Sequence, residues 1–322
     1  MNEQEKLSAR IEEISGWKTT GRIKIITDTT DWTRISRGDV LRLSGRDFLI
    51  KGNEYERRFG ISDQPKYWVF NVFDLETGKQ KIIKMVFHED FHVHIGVFRI
   101  YCFRSPEKEA RVLDMVKGDY RFMQGETILD EKKNHVRVID YIRGPTIFQY
   151  IFNIGKSHEQ YFHEDLSGIL RKLTDSLEAI RILHENKTCH GDIRNDHIII
   201  DAETGRYRWI DFDLNQHVSD FDIWSLGNIL NYAVGKGITT FKNVLRSDKF
   251  PDRIKGSLSD EDASGFYVYR IMNLGKLYPY IPASLNKILL RFTVRPKNFY
   301  VNIEQLIEDY YDMLDKEFPK SN

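Results

Sequence analysis

The spacing of apolar residues changes near residue 143, and no other feature limits the possible folds as much. Before that point the pattern is strand-like. Residues 67–73 and 81–87 are apolar or aromatic runs separated by the turn sequence Asp74-Leu75-Glu76-Thr77-Gly78, which predicts a β-hairpin. Residues 91–103, rich in β-branched and aromatic side chains, predict a third strand. Residues 107–117 switch to helical spacing, and residues 136–142 return to strand before Arg143-Gly144-Pro145 breaks it. Beyond the break the period is helical. Leu166, Ile169, Leu170, Leu173, Leu177 and Ile180 line one face of a helix ending near His184. Residues 222–234 and 303–314 predict two more helices, the first apolar enough to be buried. A strand-rich part followed by a helix-rich part predicts an α+β fold of two packed sub-structures. Residues 1–44 fit neither pattern.

The totals permit such a fold and exclude other classes. With 322 residues, 41% hydrophobic and 13% aromatic, the chain can fill a substantial core and lacks the composition of disorder. Lys plus Arg and Asp plus Glu are both 48, so no net field points to nucleic acid or an anionic membrane, and neither is expected as a partner. The two cysteines, Cys102 and Cys189, have no disulfide or zinc spacing, and a reduced, cytoplasmic setting is expected. Residues 1–10 are polar and lack the apolar stretch of a signal peptide. No run approaches the ~18 to 20 apolar residues of a membrane helix. Neither internal repeats nor low-complexity stretches occur.

The stretch that carries chemistry is His190-Gly191-Asp192-Ile193-Arg194-Asn195-Asp196-His197. It leads into Ile198-Ile199-Ile200, the turn Asp201-Ala202-Glu203-Thr204-Gly205, and a second apolar run, residues 207–210, that delivers Asp211-Phe212-Asp213. Read as a hairpin, this places Asp192 just before the outgoing strand and Asp211 just after the returning one. The two carboxylates then share one end of the ribbon. Such a pair suits a base beside a metal ligand, as phosphoryl transfer requires.

On these residues the chain resembles the protein kinase superfamily, over about residues 66–310. His190-Gly191-Asp192 is similar to its catalytic loop and Asp211-Phe212-Asp213 to its metal-binding motif. Lys84, in Ile82-Ile83-Lys84, resembles the strand lysine that meets the ATP phosphates. Glu109, in Glu109-Ala110-Arg111-Val112-Leu113, resembles the helix glutamate that orients it. Asp140-Tyr141-Ile142-Arg143-Gly144-Pro145 resembles the hinge that meets adenine, and Asp222-Ile223-Trp224-Ser225-Leu226-Gly227 the buried helix whose aspartate supports the catalytic loop. The resemblance implies a two-lobed, protein-kinase-like fold, a small β-rich lobe and a larger helical one, with ATP held between them. It also implies roles. Asp192 and Arg194 would be catalytic, Asp192 on the attacking hydroxyl and Arg194 against charge on the transferred group. Lys84, Glu109, Asp140 and Ile142 would bind the nucleotide, and Asp211 with His197 would hold the metal.

Four departures from the family pattern bear on function. His197 stands where an asparagine is expected, and imidazole suits softer metals than Mg²⁺, so Mn²⁺ is a candidate beside it. Gly52 and Gly60 lie upstream of the 67–73 strand, but no G-x-G-x-x-G occurs. Asp211 and Asp222 are only 11 positions apart, leaving almost no activation segment, and Gly191 replaces the arginine that meets a phosphorylated one. Gly191 and Asp213 also resemble the aminoglycoside and choline kinase-like branch.

Blander readings apply to other residues. His88, His92 and His94 are expected on a partly exposed strand rather than around a metal. Cys189 is expected to be a small core residue, and residues 315–320 a solvated tail. The domain expectation is an N-terminal extension, 1–44, a small lobe, 45–143, and a large lobe, 144–322. The expected function is transfer of the γ-phosphate of ATP, with Mg²⁺ or Mn²⁺, to an unknown protein or small-molecule hydroxyl. A kinase of small molecules and a pseudokinase that binds nucleotide or a partner without turnover are the alternatives.

Overall fold

The computed structural model describes residues 2–56, 64–95, 98–216, 221–296 and 298–319. Gly60 lies outside them. In chain order the first part runs α1 (Glu3–Ser15), β1 (Ile25–Ile26), β2 (Val40–Leu43), β3 (Arg46–Glu56), β4 (Gln64–Asp74), β5 (Gln80–Lys84), β6 (Asp90–Ile95), β7 (Phe98–Arg104), α2 (Pro106–Met115), β8 (Gly125–Leu129) and β9 (His135–Asp140). The second part runs α3 (Ile147–Phe152), α4 (His158–Tyr161), α5 (Ser167–Glu185), β10 (Ile198–Ile200), β11 (Tyr207–Trp209), β12 (Leu214–Gln216), α6 (Phe221–Val234), α7 (Phe241–Arg246), α8 (Asp252–Ser257), α9 (Ala283–Leu290) and α10 (Ile303–Glu317). The architecture is mixed α+β. The chain divides into two compact units: Met1–Glu89 with Arg104–Ile142, and Asp90–Phe103 with Arg143–Asn322.

The first unit is built on a sheet of order β1-β2-β3-β4-β5-β9-β8. Its pleat sorts side chains onto two faces. In the register Leu41↔Phe48 and Ile50↔Val72, these residues join Phe70, Ile83, Met85, Val136 and Val138 in one core. The neighbouring pair Val40↔Leu49 points the other way and packs with Leu7 and Ile11 of α1. Leu7 and Ile11 are four residues apart and therefore share a helix face. An Asn2–Glu5 capping box starts α1, and Gly16, at φ 71°, ends it. Residues 1–44, for which the sequence pattern suggested no element, thus form part of this unit. The β2–β3 connection is Ser44-Gly45, with φ 50° and 82°, a two-residue turn of the kind that matches strand twist.

Both D-x-E-T-G turns form as read. Asp74 Oδ1 accepts from the Glu76 amide at 2.9 Å, and Asp201 Oδ1 from the Glu203 amide at 2.9 Å. Gly78 and Gly205 take φ of 73° and 67°. The stretch 91–103 differs from expectation. It is a hairpin, β6 with β7, and not one strand. With β12 it makes a sheet of order β12-β7-β6. Ile100, Cys102 and Leu214 form the core of that sheet, with Phe91, Val93 and Phe266 against it.

Apart from that sheet and the β10–β11 hairpin, the second unit is mainly helical. α5 keeps the predicted face inward, burying Ile169, Leu170, Leu173, Leu177 and Ile180. α6 is buried almost all round, as its apolar sequence requires. Polar groups that go inside find partners. Tyr310 Oη donates to Leu170 O at 2.7 Å, Trp209 Nε1 to Ser176 O at 2.9 Å, and Asn231 Nδ2 to Ile271 O at 3.0 Å. No helix among the described residues is long and apolar enough to cross a membrane.

Candidate active site

Two constellations of buried charge stand out, one in each unit. In the first, β5 and β9 place Lys84 directly opposite Arg137. Like charges in that relation repel. Glu109 of α2 resolves the conflict. Its Oε1 lies 2.6 Å from Lys84 Nζ and its Oε2 3.2 Å from Arg137 Nε. All three are inside, with 7%, 1% and 0% of Lys84, Arg137 and Glu109 exposed. Arg137 also donates to Met85 O at 2.9 Å and His135 O at 2.8 Å. Ser105 caps α2, its hydroxyl accepting from the Lys108 amide at 3.1 Å, with Pro106 in the first turn. The cap sets where the helix begins, and so where Glu109 points. Sequence reading found Lys84 and Glu109 and missed Arg137.

Asp140 and Ile142 follow β9 in the same unit. The Asp140 carboxylate pairs with Lys81, and its amide donates to Gln124 O at 2.8 Å. That amide is therefore occupied by β8's approach, and the Asp140 side chain by a neighbouring strand. Ile142 is half-buried.

In the second unit, β10 pairs with β11 in the register Ile198↔Trp209, and the Ile210 amide donates to His197 O at 3.0 Å. The hairpin brings Asp192, His197 and Asp211 to one end. A ligand atom from each lies within 4.8 Å of the others. His197 Nδ1 donates to the Asp192 carbonyl at 2.7 Å. That bond turns Nε2 toward Asp211, 3.7 Å from its Oδ2. Two ligands bound about 2.1 Å from one ion stand about 3 to 4 Å apart, so the pair fits a cation. Asp211 has φ 70°, a left-handed conformation that is uncommon outside glycine and that collects at functional sites. Among the described residues no other group of His, Cys, Asp and Glu has metal-ligand spacing. His92, by contrast, packs against Tyr101 and contacts Arg99. The His94 side chain is outside what is described.

Asp222, fully buried at the start of α6, holds this loop by its backbone. Its Oδ2 accepts from the His190 amide at 2.7 Å and from His184 Nε2 at 3.0 Å, and its Oδ1 from the Gly191 amide at 2.9 Å. Burial pushes the Asp222 carboxyl up, but the His184 bond, the His190 and His184 charges and the Gly191 amide outweigh it and hold it below the usual range. Gly191, at φ 85°, gives the loop the bend that lets two successive amides face one carboxylate. The His190 ring packs on Trp209 and Phe212, centroids 4.8 and 4.7 Å away. Asp192 itself is half-buried. Arg194 forks onto Asp196, Nε to Oδ1 at 2.9 Å and Nη2 to Oδ2 at 2.6 Å. Cys102 is buried and Cys189 half-buried.

No protein-family model matches the chain. It is similar to a Caenorhabditis elegans protein named as a ribosomal protein S6 kinase alpha-2, with 23% identity over 108 residues. That match covers 33% of this chain and 13% of the length of the other. Among solved structures it is similar to Rad53 1–466 in complex with AMP-PNP, at a TM-score of 0.47 and 15% identity, over 75% of this chain and 60% of that one. In the order of its elements the chain resembles a protein-kinase-like fold. A capped helix delivering a glutamate to a strand lysine, then a hairpin carrying the Asp192 loop and Asp211, then a buried helix whose aspartate holds that loop, occur here in the order the resemblance implies.

Proposed function

We propose that this protein-kinase-like chain is an ATP-dependent phosphotransferase acting on a hydroxyl acceptor. The observation that carries the proposal is the convergence of Asp192, His197 and Asp211 at one end of a hairpin whose loop is clamped by buried Asp222. A bare pair of surface acids would not need that scaffold. In this reading Lys84, oriented by Glu109, meets the α- and β-phosphates, and the backbone near Asp140 and Ile142 meets adenine. Asp211 and His197 hold a divalent cation, which neutralises phosphate charge when bound. A nitrogen beside a carboxylate favours Mn²⁺ over Mg²⁺. Asp192 accepts the acceptor's proton as the hydroxyl oxygen bonds to the γ-phosphorus and the bond from that phosphorus to the β-phosphate oxygen breaks, releasing ADP. Arg194 is held by Asp196 and flanks this step. Two cysteines without disulfide spacing and an ATP substrate support a cytoplasmic setting.

Asp192→Asn tests the assignment. Metal-dependent ATP affinity is expected to stay nearly intact while phosphate transfer is lost, since the change removes a proton acceptor and keeps the shape. Transfer retained in this variant would put the base elsewhere. Absence of turnover in the wild type despite tight nucleotide binding would favour the pseudokinase reading.

A further inference from the structure

Phe266 packs its ring on Phe221 and Trp224 of α6, centroids 5.4 and 5.5 Å away, on the helix whose Asp222 holds the catalytic loop, and a run of exposed side chains follows it. Tyr267, Val268 and Tyr269 are 38%, 58% and 52% exposed, unusual for adjacent large apolar residues. The run is pinned rather than loose. The Arg270 amide donates to Tyr267 O at 2.7 Å, the Ser264 amide to Arg270 O at 2.9 Å, and the Phe241 amide to Tyr269 O at 3.1 Å. Ser264 Oγ accepts from the amides of Phe266 and Tyr267, both at 3.3 Å. The Arg270 guanidinium lies 4.1 Å from the Tyr267 ring centroid and 5.7 Å from that of Tyr269. Among the described residues no carboxylate pairs with Arg270, and its buried Nε has no hydrogen-bond partner. Three other arginines of the unit are each paired with a carboxylate: Arg194 with Asp196, Arg181 with Glu178 and Glu185, and Arg208 with Asp201. Tyr267 also connects the run to the chemistry. Burial pushes its phenol up, the Arg270 and Arg194 charges pull it down, and Asp192 pushes it up, so all three charges are within its electrostatic reach.

A stacked guanidinium, partly removed from water and without an acid of its own, is arranged to receive an anion. Its surroundings are open and aromatic. A small molecule is bound in a concavity that buries most of it, whereas exposed tyrosines around an arginine are the usual anchors of a polypeptide. We infer that Tyr267, Tyr269 and Arg270 form the acceptor-docking edge of this enzyme, and that the acceptor is a polypeptide hydroxyl with an acidic side chain beside it. This deepens the phosphotransferase reading and rests on it for the location of the transfer step.

Two fluorescent peptides of equal length test the inference, one with serine flanked by Asp and Glu, the other with the same serine flanked by Lys. Anisotropy measures binding, and transfer from ATP with Mn²⁺ is followed in parallel. The acidic peptide is expected to bind about tenfold more tightly to the wild type, and Arg270→Glu to reverse the preference. The ligand-free unfolding midpoint reports whether that variant folds. If it does not, Arg270→Gln, which keeps the stack and removes the charge, is expected to abolish the preference. Equal binding of the two peptides, or a preference unchanged in the variants, overturns the inference. Failure of ATP to bind would remove the phosphotransferase reading, and preferential binding of the acidic peptide would still support this docking edge.

Discussion

Among the described residues of the first unit, Glu109 is the carboxylate paired with two buried cations. The sheet register forces Lys84 and Arg137 opposite each other, and the one helix capped at Ser105 supplies the anion between them. Removing one partner of a buried ionic group leaves the rest uncompensated, at about 3 to 5 kcal/mol. Glu109→Ala is therefore expected to lower urea stability by about that amount, beyond any loss of nucleotide binding. A loss near that of a surface glutamate would mean the trio is not coupled. At this scale the sequence was readable where chemistry has a fixed address. Asp192, Asp211, Lys84 and Glu109 stand at recognisable offsets from turns and breaks. Arg137 does not. It lies in a strand whose residues Val136 to Ile139 are all buried, and a charged residue in a strand reads as solvent-facing until the opposing lysine is known. Arg270 was missed for a similar reason: nothing local says that it lacks an acid.

Elements were legible where punctuation was strong. The two D-x-E-T-G turns each supply an aspartate that binds its own following amides and a glycine free to take positive φ, and both hairpins form where expected. The β6–β7 hairpin was read as one strand because its continuous apolar and β-branched run is interrupted by little besides Gly96. β2 and β3 were overlooked although Ser44-Gly45 separates alternating apolar residues, because short strands carry few periods to count. Helix α6 makes a prediction of its own. A Cβ on Gly227 would lie 2.3 Å from Cδ1 of Phe292, itself 1% exposed. Glycine in a helix interior is normally improved by alanine, by up to about 1 kcal/mol. Here overpacking, at about 1 to 3 kcal/mol, is expected to win, and Gly227→Ala should lower the unfolding midpoint. A raised midpoint would show that Phe292 gives way freely.

At the scale of the molecule, the change from strand to helical period near residue 143 foretold the mixed α+β architecture. Residues 90–103 could not be placed by pattern alone. They group with the later part of the chain because β7 pairs with β12, more than a hundred residues downstream, and no local periodicity encodes a partner that distant. That pairing offers a physical reason for the short stretch between Asp211 and Asp222: Leu214–Gln216 is already engaged in a sheet.

Nucleotide binding, proposed for the buried Lys84 and the Asp192–His197–Asp211 cluster, underlies every role assigned to them. The direct measurement is the thermal unfolding midpoint without ligand, with ATP and Mg²⁺, and with ATP and Mn²⁺, for the wild type, Lys84→Ala and Asp211→Asn. Asparagine tolerates the left-handed backbone at 211, so that variant removes the charge without adding strain. A ligand at 100 times its Kd stabilises the folded state by about 2.7 kcal/mol. A metal-dependent rise of several degrees is predicted for the wild type, larger with Mn²⁺ because His197 supplies a nitrogen, and lost in both variants relative to their own ligand-free midpoints. No rise with either metal, or a rise undiminished in both variants, would mean that these residues do not bind nucleotide.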